Sequence, residues 1–237
     1  MSARALPKAF LSAAACALAL ALAVSCTSKP PVISRVYARV IYTQDPSTGV
    51  RSESLGVYLV ATDPDGIENL DAFYVINDDA ELFWKVDKAS WVSAIAEGET
   101  WIGTASLAMP GSAPLPAGEY RVVLEAAGGE TDESTFTVSA RPVPAAGAGY
   151  PSAKVEEGAI KVAGSTLPTE VWVYGKDDAF ASAYPAGTAA RPLLLKTIAA
   201  SSPALADGFT FRVFVWNELD GYGMLVGPLK SGSLSGP

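Results

Sequence analysis

The chain has 237 residues, 17 basic and 25 acidic side chains, a formal net charge of −8 and no histidine. This acidity disfavours nucleic acid and anionic lipid surfaces as partners, since both reward clustered Lys and Arg. The missing histidine removes Ser-His-Asp and Cys-His catalysis, histidine-ligated zinc and the usual general base near neutral pH, and no nucleophile elbow, Ser-x-x-Lys or phosphate loop stands in their place.

The N-terminus comes first. Arg4 and Lys8 precede an apolar run from Ala9 to Val24 that no charge interrupts. A basic start with an apolar centre is the pattern of a secretory signal, and the run is short of the ~20 residues a spanning helix needs. It ends in Ala23-Val24-Ser25-Cys26, which resembles the lipobox of bacterial lipoproteins, with Ala23 where that family prefers leucine. The resemblance implies a signal peptide over 1–25, cleavage before Cys26, lipid on the Cys26 thiol, and a tether over 26–31 holding the chain to a membrane of the bacterial cell envelope. Cysteine is required there because a thiolate is the nucleophile that takes up the lipid. Ala23 and Ser25 also satisfy the small-x-small pattern of an ordinary signal peptidase, which would cut the same bond without lipidation. Thr27 stands where an inner-membrane retention aspartate sits in some bacteria, which points to the outer membrane. Cys16 lies inside the signal. With Cys26 lipidated, the mature chain has neither a free thiol nor a disulfide, and its stability rests on an apolar core.

From residue 32 the pattern changes to period two. In RVYARVIYT, Val36, Ala38, Val40 and Tyr42 share one face, with Arg35, Tyr37 and Arg39 opposite. Strand-like runs follow at 56–62, 71–78, 81–86 and 100–109, short, β-branched or aromatic, and separated by Asp, Gly, Pro and Ser. No stretch beyond the signal carries a helical stripe, so the expected class is all-β, a sandwich or barrel. Between Leu115 and Ser139, a Pro116-Ala117-Gly118 turn leads into Tyr120, Val122, Leu124 and Ala126 on one face, and Phe136 and Val138 return after Gly128-Gly129. This stretch resembles the last hairpin of immunoglobulin-like bacterial domains, in which a tyrosine two residues after a glycine forms the tyrosine corner. An immunoglobulin-like β-sandwich is therefore expected over 32–140.

RPVPAAGAGYP, 141–151, reads as a semi-rigid linker of Pro, Ala and Gly. Strand-like runs resume at 158–164, 169–175, 192–198 and 209–217, with no clear strand between Gly175 and Arg191. LADGFTFRVFVWNELDGYGMLVGP, 205–228, resembles the closing hairpin of a fibronectin type III domain. Phe209, Phe211, Val213 and Val215 stand on its core face, and Asn217, Gly221, Gly223 and Pro228 at its turn and exit. Phe209 replaces the tyrosine usual there, so the corner hydrogen bond is absent. A second β-sandwich is expected over 152–230, with 231–237 as a flexible tail.

Three groups of residues are candidates for sites. Asp63, Asp65, Glu68 and Asp71 surround a glycine turn, and alternate carboxylates can supply calcium with several of its six to eight oxygens. Asp-Pro-Asp-Gly also makes a plain turn without any metal. Trp84, Trp91 and Trp101 are either core fillers or a platform; Leu82, Trp84 and Val86 share a strand face, which favours core for Trp84. In the second domain, a strand at 209–217 lying beside one at 169–175 turns Trp172, Tyr174, Phe214 and Trp216 to the outer surface, where four adjacent aromatics would mark an interaction.

These readings converge on a lipid-anchored binding or scaffold lipoprotein of the cell envelope that presents β-sandwich modules to a protein or glycan partner, with no cofactor, no resident metal and no catalytic residue. The alternative is an envelope glycan-processing enzyme using carboxylates of the first domain, Asp78, Asp79 and Glu81 among them, although these also read as a solvated turn. The anchor makes a direct prediction. The intact protein should partition into detergent and incorporate labelled palmitate, and Cys26→Ser should become soluble or stay unprocessed; mature protein free of palmitate and absent from the detergent phase would remove the anchor.

Overall fold

The computed structural model describes residues 29–141, 150–175, 180–187, 191–202, 205, 208–219 and 221–232. The signal, Cys26 and Thr27 lie outside the described residues, as does most of the expected linker. Among the described residues, no helix is long and apolar enough to cross a membrane.

The chain is all-β. Its first half forms strands β1 (Val32–Gln44), β2 (Arg51–Thr62), β3 (Leu70–Asn77), β4 (Leu82–Asp87), β5 (Val92–Ala96), β6 (Glu99–Leu107), β7 (Gly118–Ala126) and β8 (Thr131–Val138). The second half adds β9 (Ser152–Glu156), β10 (Ala159–Ala163), β11 (Thr169–Tyr174), β12 (Phe180–Pro185), β13 (Leu193–Leu194), a helix α1 (Leu195–Ser201), β14 (Thr210–Asn217) and β15 (Tyr222–Lys230). Three sheets result. One has eight strands in the order β12-β11-β14-β15-β1-β2-β6-β5, one has four in the order β4-β3-β7-β8, and one has three in the order β13-β10-β9.

The eight-stranded sheet runs through both halves of the chain. β1 pairs with β2 antiparallel on one side and with β15 parallel on the other, Val40 opposite Tyr222 and Tyr42 opposite Met224. Period two then gives the whole sheet one apolar face. Val40, Tyr42, Leu55, Val57 and Leu59 pack beneath the four-stranded sheet, against Phe73, Val75, Tyr120, Val122 and Leu124. Val171, Val173, Phe211 and Val213 pack with Ile160 of the three-stranded sheet and with Leu195 and Ile198 of α1. Val215, Tyr222 and Met224 belong to the first of these two cores although their strands lie in the second half of the sequence.

Tyr120 makes the corner expected of it. It is fully buried, and its hydroxyl donates to the carbonyl of Pro116 at 2.8 Å. Trp84 stacks on it at 6.5 Å and donates its indole N–H to the Ala108 carbonyl at 3.2 Å, so this half-buried tryptophan packs against the core. Trp91 stacks on Phe73 at 6.1 Å.

Four local readings need correction. Residues 195–198, expected as the end of a strand over 192–198, instead open α1; Leu195 and Ile198, three apart, both reach the core from one helical face. The gap between Gly175 and Arg191 holds β12, an outer strand whose two large side chains, Phe180 and Tyr184, are separated by Ala181, Ser182 and Ala183. Gly223 and Pro228 lie within β15 rather than at a turn and exit. Ser231, placed at the start of the tail, is buried: its hydroxyl accepts the Phe209 N–H, and its own N–H donates to the Phe209 carbonyl, both at 3.0 Å.

Both ends of the expected linker touch the first half. Arg141 forms a buried ion pair with Glu53, under the ring of Tyr42, while Tyr150 packs on the first core with Arg51 over its ring. Because the two cores share one sheet, damage at the seam should spread. Met224→Ala is expected to cost about 2–5 kcal/mol and to lower together the unfolding midpoints read by tryptophan emission and by far-UV circular dichroism. Two separated transitions, one of them unmoved, would show that the halves fold independently.

Candidate ligand-binding face

The face of the eight-stranded sheet opposite the cores is lined by aromatic rings and arginines. Strand by strand, it presents Phe180 of β12; Glu170, Trp172 and Tyr174 of β11; Arg212, Phe214 and Trp216 of β14; Arg35, Tyr37, Arg39 and Ile41 of β1; Gly56 and Tyr58 of β2; and Trp101 of β6. Register sets this arrangement, since directly opposed residues point the same way: Trp172 faces Arg212, Glu170 faces Phe214, Trp216 faces Gly223, Ile41 faces Gly223, Tyr37 faces Tyr58, and Arg39 faces Gly56.

The rings form a connected series. Trp172 stacks on Phe214 with centroids 4.6 Å apart and meets Phe180 edge-on at 6.5 Å, and its indole N–H donates to Glu170 at 2.8 Å. The Arg39 guanidinium lies 4.0 Å from the Trp216 centroid and 4.6 Å from that of Tyr37, and it donates to the Tyr37 hydroxyl at 2.8 Å. Tyr37 meets Trp101 edge-on at 6.3 Å. Arg35 approaches Trp101 and forms an ion pair with Glu99. Arg212 covers Tyr174 at 4.2 Å.

Two glycines let the rings lie down on the backbone. A Cβ at Gly223 would sit 2.6 Å from the Phe214 ring, and one at Gly103 would sit 2.5 Å from that of Tyr58. The face is also concave. β11 and β2 are separated by three strands, about 19 Å apart on a flat sheet. Yet Glu170 and Trp172 line one hollow of about 400 Å³ with Gly56 and Tyr58. Burial pushes the Tyr58 phenol above its ordinary pKa, and the neighbouring Tyr174 phenol adds to the shift. A second hollow, about 490 Å³, lies between β1, β8 and the β14–β15 turn, and Tyr37, Arg39 and Trp216 line both.

All four sequence candidates therefore lie on one face, in the register expected of β11 and β14. Trp172 and Trp216 are half-buried, but Tyr174 and Phe214 are each only 8% exposed, because Arg212 and Phe180 cover the one and Trp172 covers the other. The contribution of the first half, Tyr37, Arg39, Tyr58 and Trp101, was not anticipated. Their outward period was legible; the strand pairing that brings them to the other four was not.

The calcium candidates are used by their own loop. Asp63 accepts from the Asp65 N–H at 2.7 Å and from the Asn69 side chain at 3.1 Å, and Asp65 accepts from the Lys29 N–H at 3.2 Å. Among the described residues, no group of three or more carboxylates, including Glu68 and Asp71, converges on a common point. Asp78 is held by Arg121 at 2.7 and 3.1 Å, which keeps its carboxyl below the ordinary range, and Arg121 also reaches Glu133 at 3.0 Å.

No family model and no curated protein matches the chain. Among solved structures it is similar to Tp47, the 47-kilodalton lipoprotein of Treponema pallidum, at 13% identity and a TM-score of 0.36, over 86% of this chain and 52% of that one. It is also similar to the N-terminal Ig1-2 module of the Drosophila receptor protein tyrosine phosphatase DLAR, at 10% identity and 0.35, over 84% and 98%. A third likeness is to dimeric latent PorU of Porphyromonas gingivalis, at 13% identity and 0.32, over 87% and 21%. The chain spans about half the length of the Treponema lipoprotein. Likenesses at this level carry no functional inference.

The packing of rings on glycine is testable. Gly223→Ala should force the Phe214 ring away and cost about 1–3 kcal/mol in urea unfolding. Most of that cost should vanish in a Phe214→Ala background; an undiminished cost there would place the strain in the backbone instead.

Proposed function

We propose that this chain is a lipid-anchored lipoprotein of the bacterial cell envelope that acts by binding rather than by catalysis, holding a protein or glycan partner against the concave face of its eight-stranded sheet. The lipobox-like Ala23-Val24-Ser25-Cys26 supports the anchor, and Thr27 favours the outer membrane as its destination. One observation carries the binding role: both halves of the chain place half-buried aromatic side chains on a single open face, where Trp172, Trp216, Tyr37 and Arg39 border two adjoining hollows. Packing of the cores does not account for Trp172, Phe214 and Tyr58 in the smaller hollow, since both cores lie on the opposite side of the sheet. Contiguous apolar surface rimmed by charge is the usual mark of an interaction site, and Trp, Tyr and Arg are the side chains that dominate binding energies.

A photo-reactive residue replacing Tyr37 in cells should give a discrete envelope adduct, and Trp216→Ala should suppress it. The purified chain should release no product from envelope glycans. A missing adduct together with no bound glycan and no self-association, or turnover that Asp78→Asn abolishes, would overturn the reading in favour of a spacer or of the enzyme respectively.

A further inference from the structure

We infer that the concave face is a carbohydrate site that takes several pyranose rings of an uncharged glycan, laid from the Trp172–Phe214 stack across Trp216 toward β8. This rests on the binding reading above and names its ligand class.

Shape is the first argument. Tyr37, Arg39 and Trp216 line both hollows, one of about 400 Å³ on the open face and one of about 490 Å³ that turns from it toward the core-side residues Val36, Ala38 and Val40 and toward β8, so the two adjoin at these three side chains. Each falls within the ~300–1,000 Å³ typical of small-molecule sites. Together they accommodate a chain of sugars better than a single one. Surface chemistry comes next. A pyranose has an apolar face of C–H groups and a rim of hydroxyls. The C–H face suits the negative face of an aromatic ring, and the rim needs donors and acceptors side by side. The smaller hollow supplies the rings of Trp172 and Trp216, with the Tyr37 and Tyr58 hydroxyls, the Arg39 guanidinium and the Glu170 carboxylate among them.

Charge is the third argument. The lining charges are balanced: Arg39 with Glu170 in one hollow, and Arg39, Glu218 and the Glu53-paired Arg141 in the other. A polyanionic ligand would call for an excess of basic groups. Proline-rich peptides are the other ligands of aromatic troughs; here the Trp172 indole N–H is held by Glu170 at 2.8 Å. The ring and its carboxylate are thereby fixed before any ligand arrives, which lowers the ordering cost of binding.

The test titrates the purified mature chain with cellotetraose, maltotetraose and N-acetylchitotetraose, following tryptophan emission and calorimetric heat. At least one tetrasaccharide should bind saturably with Kd below about 1 mM, and its disaccharide should bind at least about tenfold more weakly. Trp216→Ala should weaken binding at least about tenfold. Gly56→Gln is the second variant and does not depend on removing a packed ring. A Cβ at Gly56 meets its neighbours at 3.6 Å, an ordinary contact, so the longer side chain fills the floor of the smaller hollow without displacing the backbone. It should abolish binding with the melting temperature unchanged. Sugar binding that survives both variants overturns the assignment. So does the absence of binding by all three sugars combined with a protein adduct at Tyr37 in cells, or with a dimer in sedimentation that Trp216→Ala dissolves; the binding role then stands with a different ligand. No sugar binding, no adduct and no dimer overturn both.

Discussion

The parallel pairing of Val40–Gln44 with Tyr222–Val226 is the contact on which the remaining architecture depends. It places the last strand of the chain beside the first, turns two sets of strands into one sheet, and aligns their apolar faces on the same side. Both covering layers, the four-stranded sheet and the three-stranded sheet with its helix, then pack on that side. Among the described residues, no further layer covers the opposite side. Without this pairing, Trp216 would have no Arg39 over its ring, and the first hollow would have no second wall.

The same arrangement explains how rings come to be gathered on the open face without collapsing it. Aromatic side chains standing upright on a strand would crowd one another at a spacing of about 4.8 Å. Gly223 and Gly103 remove the obstacle, so that Phe214 and Tyr58 recline across neighbouring backbone and become the floor, while Trp172, Trp216 and Tyr37 form the walls. Arg39 and Arg212 add fixed positive charge against ring faces, where a guanidinium is favourable by about 0.5–2 kcal/mol according to its burial. The face is thus apolar and polar in alternation, which lowers the cost of leaving it exposed to water.

How much of this was legible in the sequence followed from whether its cause was local. The Tyr120 corner depends on residues only a few positions apart, and the inward sets Tyr120–Ala126 and Phe209–Val215 follow from period two, so both could be read directly. The outward quartet Trp172, Tyr174, Phe214 and Trp216 follows from the same rule plus one pairing of neighbouring strands. What could not be read has its cause at long range. Nothing in RVYARVIYT announces that its open edge will accept GYGMLVGP in parallel. The helix at 195–201 was hidden for a different reason: LLLKTIA is an apolar run too short for periodicity to separate strand from helix, and the outcome is decided by what Leu195 and Ile198 pack against. Gly223 had a reading of its own as a turn residue, and only the neighbouring ring reveals why a side chain is unwelcome there.

The seam also dictates the order in which the molecule can be made. β1 is synthesised about 180 residues before β15, and closing so large a loop is entropically tolerable but slow. Until that moment, one edge of β1 is unpaired and the first core lacks Val215, Tyr222 and Met224. A chain paused halfway therefore exposes both a strand edge and an unfinished apolar pocket, the two features that invite wrong partners. For such a topology the emergence of β15, rather than the growth of each half in turn, is the event that permits completion, and the loss of β15 is felt at β1.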